Sequence, residues 1–109
     1  MTANLSESEY KARADAFFNR LEAALEGIDA GLDYEMASGG ILEIEFEDGS
    51  KMVLNRQPAM REIWVAARGG GFHYRWDGTA WRDTRGGEEI FAALSRLASE
   101  QAGMAITLA

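Results

Sequence analysis

The sequence predicts an α+β fold, a two-layer sandwich with an N-terminal and a C-terminal helix packed on one face of a five- to six-stranded antiparallel sheet. Three observations carry this. Apolar residues recur at helical spacing near the two ends of the chain, and they alternate with polar residues at period two in between. The alternating runs are separated by short glycine-containing turns, the connection that joins antiparallel neighbours. Helices at the two ends of a sequential meander can both lie on one sheet face, leaving the other in water.

The first helix has a strong start signal. Ser6 is placed as N-cap, Glu9 stands three residues on to complete a capping box, and Leu5 with Tyr10 forms a hydrophobic staple. Tyr10, Ala14, Phe17, Leu21, Leu25 and Ile28 then fall on one stripe, and Gly27 marks the end. From residue 32 the period changes to two. Leu42, Ile44 and Phe46 alternate with Glu43, Glu45 and Glu47, preceded by a turn at Ser38-Gly39-Gly40. Asp48-Gly49 turns the chain into the strand Lys51 to Asn55, which the single proline, Pro58, closes. Strands follow around Ile63 and Val65, around Phe72, Tyr74 and Trp76, and, after Asp77-Gly78, around Trp81. The second helix runs from about Glu88 to Ala102, with Ile90, Phe91, Leu94, Leu97 and Ala98 on its apolar face and Gly103 after it. The tail from Met104 to Leu108 is apolar enough to dock.

Length and composition bound the function. A chain of 109 residues, 47% apolar and 27% charged, fits one domain over 1–109 and excludes wholesale disorder. No apolar run reaches the roughly 18 residues that a membrane helix needs, and the opening residues lack the order of a signal peptide, so the expectation is a cytoplasmic protein. Zero cysteines exclude disulfides, thiolate metal sites and a cysteine nucleophile. The net charge of −7 is unevenly divided: residues 1–50 hold 12 acidic and 3 basic side chains, residues 51–109 hold 6 and 8. An acidic half of that kind repels nucleic acid and anionic lipid and attracts cations or a basic protein surface.

Two sets of residues stand out chemically. Measured from Asp15 along the helix, Glu22 and Glu26 lie within about 20° of the same line, away from the apolar stripe. As an i, i+4 like-charge pair near the helix C-terminus they cost about 0.2–0.5 kcal/mol, so helix stability does not account for them. Asp29 follows, and Asp33 with Glu35 shares one face of the next extended segment; together these carboxylates are expected to form one ridge. Carboxylates without His or Cys bind hard cations through oxygen, weakly where no loop cages them. The second set surrounds Trp64. If Ile63 and Val65 face the core, Trp64 lies on the open sheet face as an anchor for a partner, and Asn55 shares that face by the parity of Met52 and Leu54. Catalysis is poorly supported: His73 is the only histidine, and Gly69-Gly70-Gly71 lacks the following helix of a phosphate loop.

The run Asn55-Arg56-Gln57-Pro58-Ala59-Met60-Arg61-Glu62-Ile63-Trp64-Val65-Ala66, then Gly70-Gly71-Phe72-His73-Tyr74 and Gly78-Thr79-Ala80-Trp81-Arg82-Asp83, resembles the frataxin family in its bacterial, CyaY-type branch. The likeness spans nearly the whole chain. It implies a non-catalytic protein of α-sheet-α fold that binds iron, Fe2+ or Fe3+, weakly on an acidic ridge and acts in iron-sulfur cluster assembly. By position, Asp15, Glu22, Glu26, Asp29, Asp33 and Glu35 match the ridge. Asn55, Gln57 and Trp64 match the sheet-face set that the family links to the iron-sulfur scaffold protein. The resemblance further implies that the ridge docks on a basic patch of the cysteine desulfurase, with no nucleic acid or membrane partner and a monomeric state. This chain departs from the pattern in two places. Ala23, Gly27, Ala30 and Gly31 stand where the family often has a denser acidic run, and Glu43 and Glu45 add charge on the wet face of the second strand. Two alternatives stay open: an iron-independent acidic adaptor that inhibits a basic enzyme, and a ferroxidase-type protein that oxidises iron.

Overall fold

The computed structural model describes residues 5–28 and 31–109. Helix α1 spans Glu7–Glu26. Its capping box closes as expected: the Ser6 hydroxyl accepts from Glu9 N–H at 3.1 Å, and a Glu9 carboxylate oxygen accepts from Ser6 N–H at 3.0 Å. Such a cap is worth about 1 kcal/mol. These bonds from the Ser6 backbone and side chain hold the Glu9 carboxyl below its usual range. Gly27 ends the helix, donating to Ala23 O.

Six strands follow: β1 Asp33–Ala37, β2 Ile41–Glu45, β3 Lys51–Gln57, β4 Glu62–Ala67, β5 Gly70–Trp76 and β6 Trp81–Asp83. Each pairs antiparallel with the next, so the sheet order is the chain order and β1 and β6 are its edges. The pleat sends Leu42, Ile44, Met52, Leu54, Ile63, Val65 and Tyr74 to one side, where all are buried. Helix α1 covers that side with Tyr10, Ala14, Phe17, Leu21 and Leu25. Phe18 joins them, one step outside the stripe read from the sequence; its ring is covered by the Arg56 guanidinium, 4.8 Å away. Helix α2, Ile90–Ala102, lies beside α1, and Phe17 meets Phe91 at 5.3 Å. Both helices therefore share one face of the sheet.

Three local devices position the rest. A 3-10 turn at Pro58–Met60 joins β3 to β4 and ends on Arg61 in the left-handed region, φ 54°. The buried Tyr10 hydroxyl fastens this connection to α1, donating to Glu62 O at 2.7 Å and accepting from Gln57 N–H at 3.1 Å. Helix α2 begins two residues later than the sequence reading, because Glu88 and Glu89 are held extended by a bridge between Glu89 and Arg82 and by Asp83 N–H on Glu88 O. Glu89 then caps the helix, its carboxylate accepting from Phe91 and Ala92 N–H. The C-terminal tail docks along α2: Ser99 exchanges hydrogen bonds with the Ile106 backbone and Ser95 with that of Leu108. This buries Ile106 and Leu108, each worth about 1.5–3 kcal/mol if fully transferred from water. No helix among the described residues is long and apolar enough to cross a membrane.

Candidate functional site

The expected ridge residues occupy three different environments. Asp15 is already neutralised: Lys11 Nζ donates to it at 2.9 Å and Arg56 Nη1 at 2.6 Å. These two bonds, Lys11 first, hold its carboxyl below the usual range. Arg56 reaches α1 because its place in β3, two residues beyond Leu54, points it to the helix side of the sheet, where it slides over Phe18. Glu22 and Glu26 form no ion pair among the described residues. Glu26 accepts one hydrogen bond at 2.8 Å from the Tyr34 hydroxyl, which ties the end of α1 to β1. That bond, with the charges of Glu26 and Glu22, raises the Tyr34 phenol above its usual range.

Tyr34 also shows how the pleat divides the set. Tyr34 pairs with Ile44 and turns to the helix side, so its neighbours Asp33 and Glu35 turn to the open side. There they stand opposite Glu45 and Glu43, and Lys51 is the counter-charge, with Nζ 3.5 Å from Glu43. Asp33, Glu35, Glu43, Glu45 and Lys51 line a shallow depression of about 100 Å³. The structure thus brings Glu22 and Glu26 together on α1 and places Asp33 and Glu35 with the sheet glutamates, on the other side of the same edge strand. Asp29 lies outside the described residues. Among the described residues, no three Asp, Glu or His side chains converge closely enough to bind one metal ion.

The sheet-face set is more tightly built. Asn55, Trp64 and His73 form one row across β3, β4 and β5, and Gln57, Glu62 and Arg75 form the next. The His73 ring stacks on Trp64 with centroids 4.3 Å apart and planes 9° from parallel. Trp64 Nε1–H donates at 2.8 Å to Glu62 Oε1, and Arg75 Nη2 donates at 2.5 Å to Oε2. His73 Nδ1 stands 3.8 Å from Oε1. Glu62 is only 3% exposed although it lies on the wet side of the sheet. Sequence reasoning placed Trp64 and Asn55 on this face and missed Glu62. The available signal was its spacing two residues before an open-face Trp, with an Arg near enough to pair across a hairpin. The indole N–H of Trp64 is thus engaged by Glu62 and its ring by the stacked His73.

Comparison with known proteins agrees with the fold. Residues 3–104 match the model of the frataxin-like domain. The chain is 57% identical over 104 residues to the iron-sulfur cluster assembly protein CyaY of Dechloromonas aromatica, covering 95% of this chain and 99% of that one. It is 50% identical over 107 residues to the CyaY of Cupriavidus metallidurans, with 95% and 96% covered. Among solved structures it resembles the frataxin of Psychromonas ingrahamii, with a TM-score of 0.87, 28% identity, and 96% and 99% of the two chains covered. Trimeric yeast frataxin complexed with ferrous iron shares the fold, with a TM-score of 0.66, 20% identity and 94% and 91% covered. A family model spanning nearly all of the chain, and relatives this similar along their whole length, show that the chain belongs to the frataxin family, a family of non-enzymatic proteins.

Proposed function

We propose that this protein is a cytoplasmic regulator of iron-sulfur cluster assembly that binds iron weakly and docks on the cysteine desulfurase. The observation that carries the reading is the 57% identity, over almost the full length of both chains, to a protein named for that assembly. The chemistry of the carboxylates supports it. Glu22 and Glu26 on α1, and Asp33 and Glu35 on β1, present oxygen donors to hard cations, and Asp29 joins them by its position in the family pattern. With no cage of three converging ligands among the described residues, each site holds Fe2+ or Fe3+ loosely and keeps most of the metal's water. Iron here is cargo or signal. Asp15 contributes little, since a cation must displace both Lys11 and Arg56 to reach it.

The same charge surface suits a basic patch on the desulfurase, and metal occupancy changes that contact by cancelling charge. The Trp64 row, with Asn55 and Gln57 beside it, is the surface for the iron-sulfur scaffold protein: a flat, preorganised aromatic anchor with a polar surround. The absence of a convergent ligand set among the described residues favours a second reading, an acidic adaptor that acts on the enzyme without iron. Desulfurase rate measured with chelator-treated protein, with and without added ferrous iron, separates the two. An iron-dependent change supports the regulator; identical curves leave only the adaptor. No binding to the desulfurase in either condition overturns both.

A further inference from the structure

Helix α1 is charged on two flanks. Arg13 and Arg20 are seven residues apart, so they point the same way, nearly opposite to Glu22. They look toward the other edge of the sheet. There α1, the β5–β6 turn and the start of α2 enclose an open cavity of about 180 Å³. Its walls are Phe17, Trp76, Trp81, Ile90 and Phe91. Trp76 and Trp81 meet edge to face at 5.8 Å, which fixes the shape of the wall.

The two arginines are held over this cavity by the rings. Arg13 Cζ lies 4.6 Å from the Trp76 centroid and Arg20 Cζ 4.3 Å from that of Phe91. Neither forms an ion pair among the described residues. The carboxylates nearby are committed elsewhere. Glu9, one turn before Arg13, is bound to Ser6, and Glu89, which lines the cavity, has both oxygens on the α2 N-terminus. Two guanidinium groups against one capped carboxylate leave the cavity net positive in a chain of charge −7. Stacking uses the faces of the guanidinium groups and leaves N–H edges to donate. The cleft is open to solvent on one side and walled by aromatic residues on the other, with room for a planar ring.

We propose that this cavity is a binding site for a small organic monoanion, a carboxylate carried on a flat aromatic body. The ring fills the space between Trp76, Trp81 and Phe91, and the carboxylate accepts hydrogen bonds from Arg13 and Arg20 at the mouth. A monoanion suits this lining better than a dianion, because Glu89 already places one negative charge beside the two arginines. The site stands apart from the acidic ridge and from the Trp64 row, so ligand binding here is read independently of iron.

The test is an NMR titration of the intact chain with indole-3-acetate, and in parallel with the neutral isostere indole-3-acetamide. The expected result is saturable shifts of the Trp76 and Trp81 indole N–H signals and of residues 79–81, with Trp64 unmoved and a Kd of about 0.1–1 mM for a ligand of this size. The acetamide should bind at least about fivefold more weakly, and R13Q with R20Q should weaken the acetate about tenfold or more. Equal affinity for acetate and acetamide overturns the proposal. So do shifts centred on Trp64 and Arg75, or no saturation by about 10 mM. If the double variant fails to fold, the acetate and acetamide comparison on the unaltered chain decides alone.

Discussion

The α1–β1 strip and the row across β3, β4 and β5 use glutamate in opposite ways. On α1, Glu22 is half-buried and Glu26 exposed, and neither has a cationic partner among the described residues, at a small cost to their own helix. On β4, Glu62 is buried with both oxygens engaged, and its effect is to fix Trp64, His73 and Arg75 relative to one another. A carboxylate with at least one oxygen left over, as in Glu22 and Glu26, can respond to a solute; one with both oxygens taken can only shape its neighbours. Asp15 belongs with Glu62 in this respect, although its position on α1 groups it with Glu22.

That contrast is tested most strongly at Glu62. Glu62→Ala leaves an indole N–H and a guanidinium unpaired, and should cost about 1–3 kcal/mol, below the value for a fully buried pair because Arg75 is half exposed. Urea unfolding measures it, and a change under about 0.5 kcal/mol would reduce Glu62 to an ordinary surface charge. Trp64→Ala should spare iron binding and weaken scaffold binding by about 2 kcal/mol or more, read by calorimetry. A lost iron signal would contradict the separation of the two surfaces. Glu22→Lys with Glu26→Lys should lower iron and desulfurase affinity several-fold, with unfolding free energy unchanged within about 0.5 kcal/mol. Asp15→Asn sharpens the same point: it should leave iron affinity within about twofold, since its oxygens already serve Lys11 and Arg56.

The smallest effect concerns acid. Asp77 accepts from Ala80 N–H and Thr79 N–H and pairs with Arg82, and in that order these pull its carboxyl from 3.8 to about 2. Its folded pKa is depressed, so its contribution is complete above 3.8 and disappears as pH falls toward 2. Asp77→Asn should therefore melt below the unaltered chain at pH 5, and the gap should close by about pH 2. A gap independent of pH would mean that the turn is held by something other than this charge.

Much of this arrangement is legible in the sequence because it is local. The Ser6–Glu9 box, the period-two run through Leu42, Ile44 and Phe46, and Gly103 after α2 each depend on neighbours a few residues away. Parity alone places Trp64 and Asn55 on the wet face. What escapes is set by partners far along the chain. Arg56 reaches Asp15 from 41 positions away, and Glu62 is buried by β5 side chains whose register no local pattern specifies. The single expected ridge likewise divides because one pleat sends Tyr34 one way and Asp33 and Glu35 the other.

The position of β1 has a consequence of its own. As an outer strand it offers one row of backbone groups that no other strand covers, the usual template for one sheet to grow into the next. A second molecule zipping onto it would bring Asp33 and Glu35 up against their own images, with Glu43 and Glu45 one strand behind. At neutral pH that repulsion guards the open margin of the sheet against fibril-like stacking, so the acidity of this segment protects the fold whether or not a metal ever visits it.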